Sequence, residues 1–311
     1  MCIAVFLWQA HPLYPFLLLL NRDEYHSRPT KPLGWWEGGE ILGGKDELAG
    51  GTWLGCTRDG KIAFITNVRE VTSIPQAKSR GDLTLRFLES NKNPKEYAEE
   101  LSKEADQYNG FNLILADISS KSMVYLTNRP KPENFIVMEV TPGMHVLSNA
   151  SLDSPWPKAQ RLGHGFKDLL EKYGEAELPT KEMAEILMTN TIKDDESMLP
   201  GIYPSEREHQ LSSIFIEADT PLGRYGTRST CALSVKSSGE VNFYERYLDE
   251  DQWKEHTMSC QIKKMEGFTF MKKFFTPSVS DGSSIKAFLF QARPSSVSFE
   301  KDNSRACNHA Y

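Results

Sequence analysis

A cysteine stands directly behind the first methionine of this 311-residue chain, and two short apolar runs follow it before the chain reaches Asn21-Arg22-Asp23-Glu24. A thiol becomes a nucleophile as its thiolate, which a nearby cation or an adjacent base favours. If Met1 is removed, Cys2 also carries a free α-amine with a reference pKa of about 7.7–8.0, suited to take the thiol proton near neutral pH. The connection between the two runs contains Pro12 and Pro15. A hairpin there would return Arg22 and Asp23 to the terminus, the first to favour thiolate and the second to orient the groups. On the other reading, Cys2 is a small buried residue opening an edge strand, and Arg22 and Asp23 form a structural ion pair.

Three further positions share this logic. Asn67 ends the apolar run 61–67, Asn149 ends the run 145–149, and Arg228 lies just before the run 230–235. Side-chain amides at strand ends can direct N–H groups at a developing oxyanion, or simply cap strand ends and turns. A loop arginine can clamp a substrate or hold an acidic partner.

The elements that must position these residues follow from pattern. Residues 2–8 and 16–20 read as two buried strands. Residues 28–32 read as loop. Gly38-Gly39, Gly43-Gly44 and Gly50-Gly51 imply tight turns or close backbone approach. Residues 52–56 and 61–67 form a strand pair across Asp59-Gly60. Helices are expected from Leu83 to Glu89, from Asn93-Pro94 to about Ala105, from Ser154-Pro155 to Tyr173 with Gly174 at its end, and from Thr180 to about Met188. Strands are expected at 111–117, 122–127, 135–140, 145–149, 212–217, 230–235 and 241–247, with Lys131-Pro132 as a loop. Residues 193–208, acidic and containing proline, read as surface loop. From Thr276 onward Ser, Pro, Lys, Asp and Asn dominate, so 1–275 is expected as one domain and 276–311 as a disordered tail, with Phe288-Leu289-Phe290 a short docking element. The element order implies an α+β fold of antiparallel sheets layered between helices.

Composition narrows the classes. A net charge of −6 argues against a general nucleic-acid binder. No apolar run approaches the length of a transmembrane helix, and the apolar stretch 13–20 lacks the basic residues and cleavage site of a signal peptide. Five scattered cysteines fit a reducing compartment better than a disulfide framework. The seven histidines show no zinc spacing. A haem could take one axial ligand such as Cys2, His26 or His145, and the spacing selects none of them. Trp8, Trp53 and Trp156 read as core.

Met1-Cys2, Asn21-Arg22-Asp23-Glu24, Gly50-Gly51-Thr52-Trp53-Leu54-Gly55, Tyr108-Asn109-Gly110-Phe111-Asn112-Leu113, Leu147-Ser148-Asn149-Ala150 with Pro155-Trp156-Pro157-Lys158, and Tyr225-Gly226-Thr227-Arg228 occur in this order. Together they resemble the NRDE family, named for transport and Golgi organisation, over about residues 1–262. That family in turn resembles N-terminal nucleophile (Ntn) hydrolases of the bile-salt and penicillin V amidase branch. The resemblance implies a four-layer αββα sandwich, with Cys2 matching the nucleophile, Arg22 and Asp23 the early pair, Asn67 and Asn149 the oxyanion amides and Arg228 the late arginine. Asn21, Arg22, Asp23 and Glu24 are the expected ligand-binding core.

The family resemblance also implies a non-catalytic role: binding and movement of haem or an acyl-CoA-type lipid as cargo, tied to lipid homeostasis, protein secretion and Golgi organisation. A Cys2-dependent amidohydrolase and a scaffold for secretory membranes are the alternatives. Expected partners are a small hydrophobic or amphipathic ligand and, peripherally, membranes. The expected location is cytoplasmic, with mitochondrial or Golgi-associated sites as alternatives.

Overall fold

A computed structural model describes residues 2–130 and 135–263, all within one compact unit. The segment 276–311, with Phe288–Phe290, and the Lys131-Pro132 loop lie outside the described residues. The chain opens on the expected hairpin, β1 (Ile3–Trp8) and β2 (Phe16–Tyr25), with Ile3 opposite Asn21 and Trp8 opposite Phe16. β2 is longer than its apolar run: it carries Asn21, Arg22 and Asp23 inside the strand, all three buried. β3 (Thr30–Trp35), β4 (Ile41–Asp46), β5 (Leu54–Thr57) and β6 (Lys61–Asn67) follow, then α1 (Gly81–Glu89) and α2 (Pro94–Leu101). β3 occupies the region expected as loop; Pro32 is accommodated because β3 is an edge strand with a break in register around it.

β7 (Phe111–Asp117), β8 (Ser122–Thr127), β9 (Ile136–Glu139) and β10 (Gly143–Leu147) come next, then α3 (Pro157–Tyr173), α4 (Thr180–Leu187) and the short α5 (Ser205–Gln210). The chain then adds β11 (Glu217–Thr220), β12 (Gly223–Val235), β13 (Glu240–Asp249) and β14 (Gln252–Gln261). Asn93 caps α2 in a full capping box with Glu96, as Asn-Pro implied. Ser154 and Thr180 cap nothing: α3 begins at Pro157 and α4 follows Pro179, neither with a side-chain cap. Residues 212–216 are not a strand, and β11 begins only at Glu217.

Two antiparallel sheets result. One runs β10-β1-β2-β12-β13-β14, with β11 alongside β12; the other runs β3 to β9 in sequence order. β1 is therefore interior, flanked by β10 and β2, and Cys2 opens no edge strand. The period-two alternation of the first hairpin shows what covers each face. Ala4, Phe6, Trp8, Phe16, Leu18 and Leu20 join a core with Leu42, Leu54 and Phe64 of the second sheet. Ile3, Val5, Leu7, Leu17 and Leu19 pack with Leu162 and Phe166 of α3 and Met183 and Ala184 of α4. On the far side, α1 lies on β5 and β6 and α2 on β7 and β8. The layers are helix, sheet, sheet, helix: the αββα sandwich expected. No helix among the described residues is long and apolar enough to cross a membrane.

The glycine pairs divide by cause. Gly38-Gly39 is a turn with both φ positive. Gly51 is required by contact, because a Cβ there would sit 2.3 Å from the backbone of Gly81 at the start of α1. Phe6 and Phe64 meet edge-on between the sheets, with centroids 5.5 Å apart. Phe64→Ala should cost about 3–5 kcal/mol of unfolding free energy by urea titration, because it empties a contact that both sheets share. A cost below about 1 kcal/mol would show that the sheets do not depend on it.

Candidate active site

The site forms where strands from both sheets end together. Cys2 precedes β1 and is 9% exposed. The register placing Ile3 opposite Asn21 brings the end of β2 beside it. Burial pushes the Cys2 thiol pKa up, and the carboxylate of Asp23 adds to this. The charge of the N-terminal amine, a hydrogen bond from the Asp23 backbone N–H and the charge of Arg22 work the other way. The resting group is a protonated thiol.

Alternation along β2 separates Arg22 from Asp23. The Arg22 guanidinium lies 4.2 Å from the centroid of the Trp53 ring, on the face toward the second sheet. Asp23 faces the helices, and its Oδ1 accepts from Thr227 Oγ1 at 2.7 Å. Burial raises the Asp23 pKa, opposed by Lys158 and the Thr227 hydroxyl. The two residues do not pair as a local bridge, because each is bound on its own face. Asn21 is committed: its Nδ2 donates to the carbonyls of Met188 and Ile214, at 2.7 and 3.0 Å, and its Oδ1 accepts from Thr230. It ties β2 to the end of α4 and to β12. Glu24, half-buried, lies 3.8 Å from Arg28 and accepts from the backbone N–H of Tyr25.

Asn67 and Asn149 meet across the two sheets. Asn149 Nδ2 donates to the carbonyl and side-chain oxygens of Asn67, at 3.0 and 3.2 Å. The Asn149 carbonyl accepts from Arg69 N. Asn67 then lines a cavity of about 160 Å³ whose other walls include Tyr25, Tyr203, Arg207 and Tyr225. Tyr225 O–H donates to the Asp23 carbonyl, so one aromatic ring joins the cavity to the cysteine cluster. Arg228 occupies an irregularity in the β12–β2 register and donates to the carbonyls of Tyr25 and Arg28. It shapes the turn after β2 and is not among the main charges acting on Cys2, which are those of the N-terminal amine, Asp23 and Arg22.

Four residues that the sequence did not single out complete the cluster. Lys158, in the first turn of α3, is 1% exposed and donates from Nζ to the Leu211 carbonyl at 3.1 Å. Arg69, just past β6, pairs with buried Glu208 at 3.3 Å and lies over the Trp156 ring. Arg80, before α1, donates to the Gly110 carbonyl and feels the charges of Cys2 and Glu24. Glu208 also accepts from the backbone N–H groups of Gly201, Ile202 and Tyr203. The segment 193–208, expected as surface loop, therefore folds over the site and contributes a fully buried carboxylate. Lys158 sits in the Pro-Trp-Pro-Lys run already noted, which was the one available signal. Trp53 and Trp156, expected only as core, each carry an arginine of the site.

Both ring nitrogens of His145 are engaged, by Asp153 and by the Thr141 carbonyl, so it has none to offer a haem iron. His26 lines a second cleft of about 130 Å³ with Glu217 and Arg224, which shares Ala218 and Tyr225 with the first. Among the described residues no group of three or more His, Cys, Asp or Glu converges to hold a metal ion.

Comparison with known proteins places these features in a context. A family model described as Transport and Golgi organisation 2 matches residues 1–250. The mouse Transport and Golgi organization 2 homolog is 34% identical over 281 residues, covering 85% of this chain and 100% of the mouse protein. The human homolog is 33% identical over 285 residues, covering 85% of this chain and 100% of its own length. Among solved structures, a mutant conjugated bile acid hydrolase from Clostridium perfringens aligns with a TM-score of 0.47 at 10% identity, covering 82% of this chain and 92% of that one.

Glu208 yields a test of how the site is closed. Burial raises its pKa, but its three backbone donors and Arg69 outweigh this and hold it below the usual carboxylate value. A folded pKa below the unfolded value of about 4.3 means the stabilisation is present above that pH and lost as pH falls through the folded value. Amide protection at Gly201–Tyr203 should therefore drop on acidification below about pH 4. Glu208→Ala should cost about 3–5 kcal/mol in urea, since it strands Arg69 without its carboxylate.

Proposed function

This chain belongs to the Transport and Golgi organisation 2 family, and from that premise we propose that it acts on an acyl ligand at Cys2. The ligand enters the tyrosine-walled cavity, and the thiol attacks its amide or thioester carbon. The observation that carries this reading is a buried thiol beside a buried carboxylate at one end of the sheets, with Asn149 bonded to Asn67 and Asn67 lining a cavity. Asn67 is the amide with access to that cavity, and it supplies the N–H that an oxyanion needs. Asn149 holds it in place through the two bonds that Asn149 donates, so the pair works as a donor and its support. Asp23 and Arg22 set the charge around the thiol, and Arg228 fixes the turn that shapes the cavity rim.

A second reading keeps the cavity and drops the cleavage: the chain binds and moves a haem or an acyl-CoA-type lipid. It is supported by the walls, where Tyr25, Tyr203 and Tyr225 offer apolar faces and Arg207, stacked 4.3 Å from the Tyr203 centroid, offers a cation for an anionic end. A volume of about 160 Å³ favours a short acyl chain over a haem macrocycle, since enclosed ligand sites usually run to about 300–1,000 Å³. The link to Golgi organisation in the names of the relatives then becomes a consequence of acyl-ligand handling rather than of a scaffold.

Intact mass spectrometry separates the two readings. With a panel of short acyl amides and acyl thioesters, the acyl reading expects a mass increase on Cys2 equal to the acyl group and release of the amine or thiol. Cys2→Ser should lower the release rate on the order of 10²-fold or more while ligand binding is retained. Tight binding with neither adduct nor release, unchanged in Cys2→Ala, would replace the acyl reading with the carrier one. A haem titration without a Soret shift would remove haem from that carrier reading.

A further inference from the structure

His145 lies in β10, with its ring centroid 5.3 Å from that of Phe6 on the neighbouring β1. Its Nδ1 is 2.8 Å from Asp153 Oδ2, and its Nε2 is 2.9 Å from the Thr141 carbonyl. A carbonyl oxygen and an ionised carboxylate only accept. Both contacts are hydrogen bonds only when both ring nitrogens carry protons, so the geometry fits the imidazolium and leaves a neutral ring one bond short. Asp153 is bound a second time, because its Oδ1 accepts from the Val146 N–H at 2.8 Å and its own N–H donates to the Val146 carbonyl at 2.9 Å. Its φ is +58°, left-handed backbone that residues other than glycine adopt sparingly, and these bonds hold it there. The loop 147–152 is thereby closed at its base, and Asn149 lies within it.

We propose that His145 is a positioning residue for the two asparagines: as imidazolium it clamps Asp153, closes the loop that carries Asn149, and so holds the Asn149–Asn67 pair. The first half of the loop is anchored by the second sheet. There Thr66 Oγ1, the Arg69 N–H and Asn112 Nδ2 donate to the carbonyls of Ser148, Asn149 and Ala150 in turn. The second half is anchored through Asp153. When the imidazolium loses a proton, that carboxylate keeps Val146 but the His145 clamp is broken, and the amide pair is left with the sheet-side anchor. The benefit to chemistry rests on the acyl reading, because a donor to a transient charge must be held still. The clamp itself does not depend on that reading.

The electrostatics agree. Burial pulls the His145 pKa down, but the Asp153 hydrogen bond, the Thr141 carbonyl and the Asp153 charge outweigh it and raise it above the ordinary value of about 6.5. Among the described residues the charged group that meets the ring is Asp153. β1 presents Phe6, and β8 presents Tyr125, which feels the Asp153 charge and donates to Asn112 Oδ1 at 2.8 Å. α3 lies on the opposite face of β10, with Gly163 against Val146. A raised folded value means the stabilisation is complete below about pH 6.5 and is lost as pH rises through the folded value. The clamp is therefore closed on the acidic side and opens on the alkaline side.

NMR on the full chain reads the clamp without a substrate. The imidazole resonances are titrated from about pH 5.5 to about pH 9, bracketing the ordinary histidine value. His145 is assigned by its loss in His145→Phe, which keeps a ring beside Phe6. Hydrogen exchange is followed in parallel at the Val146 and Asp153 backbone amides and at the Asn149 side-chain amide, corrected for the intrinsic rate. His145 should titrate above about 6.5, and protection at all three amides should fall on the order of tenfold as pH passes that midpoint. In His145→Phe the protection should be low throughout, with no step. Asp153→Asn should lower the His145 midpoint by about one pH unit or more, and this arm decides with the wild-type titration should His145→Phe fail to fold. A wild-type midpoint at or below about 6.5 overturns the proposal. So does an Asn149 side-chain amide whose exchange ignores the midpoint, since the clamp would then support the loop base without positioning the pair. None of these readings needs turnover, so failure of the acyl reading leaves them unchanged and the two can fail separately.

Discussion

Placing Asn21, Arg22 and Asp23 inside a central strand is the constraint around which the rest of this molecule is arranged. A polar group removed from water costs several kcal/mol unless it is bonded again, and a charge costs more. Each of the three is compensated by a different element. Asn21 is bound by α4, the 211–214 segment and β12, Arg22 by the Trp53 ring, and Asp23 by Thr227. The fold therefore cannot assemble its first sheet without also assembling the surroundings of Cys2. Site and core are one cooperative unit, and the polar run fixes register where a purely apolar strand would slide.

The second sheet joins through amides rather than side-chain packing at this end. Asn149 reaches Asn67, Arg69 N reaches the Asn149 carbonyl, and Thr66 Oγ1 and Asn112 Nδ2 reach the carbonyls of Ser148 and Ala150. These bonds hold the turn between β10 and α3, and that turn delivers Trp156 and Lys158. Asn67 and Asn149 are thus structural and chemically placed at once. A strand-end amide that stitches the sheets is also rigid, which is what a donor to a transient charge must be. In the acyl reading proposed above, the capping and oxyanion roles, both open from sequence, are divided between the two residues.

What could be read from the sequence was whatever carried a period or a turn signal. The first hairpin, Asp59-Gly60, the Asn93-Pro94 start and the alternation of β13 all appear where pattern placed them. β14 escaped because none of its ten residues is buried, and only Met258 and Cys260 pack from it against the core, too short an apolar pattern to mark a strand. β3 was hidden by Pro32. The segment 193–208 misled for a different reason: acidic residues and prolines read as solvent-facing, yet Glu208 is buried to receive Arg69 and three backbone donors. Single cations such as Lys158, Arg69 and Arg80 carry no periodic signal at all. Only the run Pro155-Trp156-Pro157-Lys158, among the motifs of the resemblance, marked one of them in advance.

Charge balance explains why a lysine belongs in this cluster. Around Cys2 the protein buries Asp23, whose charge Lys158 and Arg22 oppose, and pairs Arg69 with Glu208. Sending the thiol proton to solvent would leave an extra negative charge in a low-dielectric interior, and the raised thiol pKa is the measure of that cost.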